Sequence, residues 1–201
     1  VNWYKPLKKA QQEDARMFAP GEDPSKFGTP NVDIVGDTPM LVMRIPGVEG
    51  SINLNVSIAA VKQALERVFG GSYFFPITTI KVAPLAGAFG ETFSNQPHTL
   101  FVNESAMIEA VSKAVRNEAA SASSKGIEAK FTPEIGKKIE QEIAKLLWET
   151  IPHEREHALD FQKELHKILE TGQGSMASVP ESHGEQAGKS ALSRFKWYIP
   201  R

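Results

Sequence analysis

The chain has 201 residues, a formal net charge of −1, 41% hydrophobic and 23% charged residues, and no cysteine. That length supports one domain with a sizeable core, and the near-neutral charge argues against an electrostatic grip on nucleic acid or on an anionic membrane. The absence of cysteine excludes disulfides, cysteine-ligated zinc and thiol catalysis, and no apolar run approaches the ~20 residues that span a bilayer.

Residues 1–50 read as an N-terminal arm. "KPLKKAQQEDARMF" predicts a short helix after Pro6. "APGEDPSKFGTPNVDIVGDTP" places four prolines and three glycines in 21 residues, a loop composition. The apolar run 40–45 predicts a strand, stopped by Pro46 and Gly47. The first eighteen residues hold no apolar segment of signal-peptide type. The expectation is a soluble chain whose compartment stays open.

The compact domain is expected over 51–201. Ser57 is the predicted N-cap of a helix over 57–69, whose Ile58, Val61, Leu65 and Phe69 share one face and which Gly70 and Gly71 end. The β-branched stretch 77–84 and the stretch 98–103 predict two strands. Between them, the glycine-rich segment 85–97 predicts a loop or a bulged strand. A helix is expected over 104–124, with Met107, Ile108, Val111 and Val115 on its buried face. Another is expected from Thr132 as N-cap with Pro133 in its first turn, buried along Ile135, Ile139, Ile143, Leu146 and Leu147. Pro152 should kink that helix or start a new one, and helical pattern continues to Thr171 and Gly172. A final helix is expected over 180–195, with Pro180 in its first turn and Ser178 near its cap.

Residues 153–157 read His-Glu-Arg-Glu-His. On a helix, positions i and i+4 face the same way, so His153 and His157 can offer nitrogens to one ion at the ~2.0–2.1 Å that zinc requires. Glu154 lies about 100° around the helix, placed to border an open metal position and handle a proton there. The pattern H-E-x-x-H also arises by chance in roughly 1% of such chains. A solvated helix face is therefore the competing reading, and charged Arg155 and Glu156 fit it. A third zinc ligand must come from elsewhere. Lys163 stands where a longer histidine motif would place that ligand. The final helix offers Glu181 and Glu185.

With these residues the chain resembles the small gluzincins, zinc metallopeptidases with HExxH on one helix and a glutamate ligand on the next. The paired strands within 78–105 are similar to those preceding the active-site helix in compact zincins. The resemblance implies a zincin-like α+β fold: a small mixed sheet whose edge strand holds extended peptide, packed on an active-site helix and a following glutamate helix. It implies a Zn2+ cofactor held by His153, His157 and a glutamate, with Glu185 preferred and Glu181 and His183 as alternatives. It implies zinc-dependent hydrolysis of peptide bonds, with Glu154 as general base toward metal-activated water and Tyr198 as a transition-state donor. The expected partners are a peptide or protein substrate and a protein contact for the arm, without nucleic acid or membrane. The alternative is a catalytically degenerate zincin fold serving as a binding or structural component of a larger assembly. Asp160, one turn past His157, reads as a surface aspartate or a group that orients a ligand histidine. His98 reads as structural, and His166 as a surface or helix-end residue.

Overall fold

The computed structural model describes residues 32–37, 41–45, 47–54, 56–176 and 180–197. The expected helix after Pro6, Ser178 and Tyr198 lie outside them.

Among the described residues, two small sheets and four α-helices make an α+β fold. The strands are β1 (Asp33–Val35), β2 (Leu41–Met43), β3 (Ile52–Leu54), β4 (Thr79–Val82), β5 (Gly90–Glu91) and β6 (Thr99–Val102). The helices are α1 (Ile58–Phe69), α2 (Glu104–Ser124), α3 (Pro133–Thr171) and α4 (Glu181–Leu192). A 3-10 turn follows at Phe195–Trp197. The main sheet has the order β1-β4-β6-β5. β1 and β6 both run parallel to β4, and β5 runs antiparallel to β6, pairing Gly90 with Val102 and Glu91 with Phe101. β2 and β3 form a separate antiparallel pair.

The helix starts follow the sequence closely. Ser57 accepts a hydrogen bond from the Ala60 amide, Asn103 from that of Ala106, and Thr132 from that of Ile135, each satisfying an amide that the first turn leaves unpaired. Asp37 adds a long-range cap, its carboxylate accepting from the amides of Ile58 and Ala59 at 3.0 and 3.2 Å. Gly172, at φ 69°, closes α3 in the left-handed conformation that glycine adopts without steric cost.

Three sequence expectations change. β1 falls in the segment read as loop, yet it pairs with β4 inside the main sheet. A three-residue strand between glycine- and proline-rich flanks carries too short an alternation to register. Val32, Met43 and Ile45 are buried in the core, so the packed body includes residues assigned to the arm. Of the two expectations for Pro152, the start of a new helix does not hold, because α3 continues through it and has 39 residues in all. Proline removes one intrahelical hydrogen bond, and the burial of α3 on both sides of that position offsets the loss.

The core gathers Val61 and Leu65 of α1, Ile80 of β4, Leu100 and Val102 of β6, Met107 of α2, and Ile143, Leu147, Trp148 and Ile151 of α3. Full burial of side chains of this size contributes roughly 1.5–3 kcal/mol each. Trp148 is fully buried between Phe69 and Phe195, and its indole N–H donates to the Ala191 carbonyl at 2.7 Å. That bond ties the middle of α3 to the end of α4.

Candidate metal centre

The site lies where α4 crosses α3. The two helices run antiparallel, so rising numbers on α4 meet falling numbers on α3. Glu181 and Gly184 lie against His153 and His157, Gly188 against Glu149, and Ala191 against Trp148. The spacing 181, 184, 188, 191 is one helix face. Small residues on that face let the two backbones approach. A Cβ at Gly188 would lie 3.1 Å from the Glu149 carbonyl oxygen, and one at Gly184 would lie 2.7 Å from His157 Nε2 and 2.8 Å from His153 Nε2.

Three donors converge there. Glu181 Oε1 is 2.8 Å from His153 Nε2, Glu181 Oε2 is 3.1 Å from His157 Nε2, and the two Nε2 atoms are 3.1 Å apart. Tetrahedral zinc with bonds of about 2.0–2.1 Å sets its donor atoms about 3.3 Å apart. The contacts seen here are of that order, with one carboxylate oxygen turned to each imidazole, and two imidazoles with one carboxylate are a donor set suited to zinc. His153, His157 and Glu181 form a group that could hold a metal ion.

Glu154 borders this group. Its carboxylate is 3.8 Å from His153 Nε2, and the residue is only 6% exposed. Burial pushes its pKa up to about 7, Thr92 partly opposes that shift, and the Glu181 and Glu91 carboxylates add to it. Thr92 also donates its hydroxyl to the Glu154 carbonyl at 3.1 Å.

The edge strand β5 lies directly over this stretch of α3. A Cβ at Gly90 would come within 2.5 Å of Thr150 Cγ2 and 3.0 Å of Glu154 Cγ, so only glycine allows the strand this close. Buried Asn103 secures the approach. Its side-chain amide donates to the carbonyls of Leu85 and Ala88, and its backbone amide to Phe89, at 3.0, 3.0 and 2.8 Å.

Arg155 has a structural use that the solvated-face reading overlooks. Its Nε donates to the Tyr73 carbonyl, and its guanidinium lies 4.5 Å from the Tyr73 ring centroid. Tyr73 stacks on Phe69 at 4.9 Å. The charge inside the motif thus faces away from the donors and fastens α3 to the segment after α1. Burial lowers the Arg155 pKa, and the same burial raises that of the Tyr73 hydroxyl to about 12.

The remaining candidates separate. Glu181, held as an alternative, is the carboxylate at the histidines. Glu185 is exposed and outside the donor group. It sits one turn further along an antiparallel helix and on the flank of the contact face. His183 also stands apart, its Nδ1 paired with Asp160 at 2.8 Å. Asp160 therefore serves His183 rather than a ligand histidine. His98 is buried against Gln162 at 2.6 Å, a structural role. His166, expected at the surface, is buried, because α3 continues past His157 into a second apolar cluster of Leu165, Ile168 and Met176. Among the described residues, no helix is long and apolar enough to cross a membrane. No protein-family model matches the chain, and no curated protein or solved structure is significantly similar to it.

Proposed function

We propose that the protein is a zinc-dependent peptidase on a zincin-like fold, with His153, His157 and Glu181 as ligands. The convergence of these donors beside buried Glu154 carries the reading. Bound zinc supplies Lewis acidity toward a peptide carbonyl and toward water. Glu154 takes a proton from the attacking water at its carboxylate and returns it to the departing amine. A carboxylate basic near neutrality suits both transfers. The antiparallel edge strand β5, set over Glu154, supports an extended peptide added along its free edge.

The test is Glu154→Gln. The variant is expected to keep about one equivalent of zinc and to lose hydrolysis of a peptide library by roughly 10²–10⁴-fold. Zinc-free wild-type protein from metal-replete cells, or a variant that cuts at the wild-type rate, overturns the reading.

A second reading, a catalytically degenerate binding or structural component of a larger assembly, is favoured by one observation. His157 Nδ1 is buried with no hydrogen-bond partner among the described residues, whereas a metal-ligating histidine ordinarily donates its second nitrogen to an orienting group. The N-terminal arm is the expected partner contact in that case. Stoichiometric zinc with an intact peptide library supports this second reading.

A further inference from the structure

We infer that Gly184 is the positioning residue that admits the metal: the absence of a side chain there is what allows the three donors to converge. The inference rests on the zinc reading above and assigns a role to a residue that carries no donor. A Cβ at this position would sit 2.7 Å from His157 Nε2 and from His153 Cδ2, and 2.8 Å from His153 Nε2. Real Cβ atoms essentially never approach heavy atoms under 3.0 Å, so one partner must yield.

Only two groups are able to yield, and each route dismantles the site. In the first, the imidazoles rotate. His157 Nδ1 has no hydrogen-bond partner among the described residues, so no bond on its far side resists the turn. Rotation carries the Nε2 atoms out of their 3.1 Å approach. In the second, the first turn of α4 lifts away. Glu181 lies on that turn, three residues before Gly184 on the same face, and its carboxylate leaves both histidines. Pro180, the N-cap of this turn, offers no side-chain hydrogen bond, and the exposed pair of His183 with Asp160 at 2.8 Å is the tether that such a lift breaks. The firm tether, Trp148 to Ala191, lies at the other end of the helix. Gly188 makes a useful contrast. A Cβ there meets Glu149 at 3.1–3.2 Å and reaches only Cβ of His153, at 3.6 Å. It tests helix packing without touching a donor atom.

The experiment compares the full chain with Gly184→Ala and Gly188→Ala, reading zinc affinity by competition with a chromophoric chelator and folding by circular dichroism. Gly184→Ala is expected to weaken zinc binding by roughly 10–100-fold, the range seen when the groups orienting metal ligands are disturbed. Gly188→Ala is expected to stay within about threefold of wild type on the same scale. Equal zinc affinity for wild type and Gly184→Ala overturns the inference, as does an equal loss in both variants. If Gly184→Ala does not fold without metal, zinc is titrated into it. Failure of zinc to restore helical signal supports the inference. Recovery at the zinc concentration that saturates wild type overturns it, because a packing defect alone yields to mass action. A wild-type chain that binds no zinc refutes the metal reading itself, an outcome distinct from all of these.

Discussion

Glu181 and Glu185 present the sharpest contrast at the scale of single residues. Both lie on α4, four positions apart, but only Glu181 touches the histidines. Under the proposed zinc reading, Glu181→Gln removes the one carboxylate of the donor group, and zinc content is expected to fall from about one equivalent to a small fraction of it. Glu185→Gln is expected to leave zinc content unchanged. Metal analysis after dialysis checks both, and zinc loss on Glu185→Gln alone would reverse the assignment. His153, Glu154 and His157 were legible in the sequence because one helix fixes their relation at a spacing of four residues. The carboxylate that meets the histidines was not, for a physical reason. "ESHGEQAG" repeats E-x-x-G in tandem, so each glutamate precedes a glycine by three residues, and local pattern cannot choose between them. The glycines themselves were the missed signal. Read as a contact stripe, Gly184, Gly188 and Ala191 point to Glu181 as the residue that continues the face.

At the scale of elements, the closest approach is that of β5 to α3. Two residues of strand carry almost no periodic signal, and the segment 85–97 left loop and bulged strand equally open. What makes β5 a strand is its pairing with β6 and the Asn103 bonds that hold the preceding loop. Gly90→Ala places a methyl against Thr150 and Glu154, and such overpacking typically costs about 1–3 kcal/mol. The expected outcome is a lower urea midpoint together with a fall in peptide hydrolysis, at unchanged zinc content. If zinc is lost in proportion, the strand acts on the ligands rather than on the catalytic carboxylate. The starts of the helices, by contrast, were legible to within a residue or two, and Ser57 and Thr132 do cap their own chains. The length of α3 was not legible. A proline inside a long helix carries a strong local penalty, and only tertiary burial overrides it.

At the scale of the whole molecule, the donors come from two helices, so the proposed metal binding would be thermodynamically linked to the docking of α4 on α3. Zinc at 100 times its dissociation constant adds about 2.7 kcal/mol to stability. For a chain of this length, that corresponds to a rise in Tm of roughly 5–10 °C. His157→Ala is expected to abolish the rise, and calorimetry with and without zinc reads it directly. A rise of the same size in His157→Ala would place the metal elsewhere. The α+β class that the resemblance implies is the class observed, but the limit of the packed body was not legible. Which residues before 51 join the core depends on pairings of β1 with β4 and of β2 with β3, contacts between segments distant along the chain that local composition does not report.

The hydrogen bond from Trp148 to Ala191 acquires a meaning beyond cohesion once the tandem E-x-x-G is seen. Because the motif repeats every four residues, α4 carries two equivalent phases. Sliding it by one period, about 6 Å along its axis, would offer Glu185 and Gly188 to the histidines in place of Glu181 and Gly184. Local chemistry at the histidines does not distinguish these phases. The indole at the opposite end does, since it has one carbonyl to meet and one aromatic niche between Phe69 and Phe195. Trp148 therefore works as an indexing pin, choosing from a distance which carboxylate completes the centre.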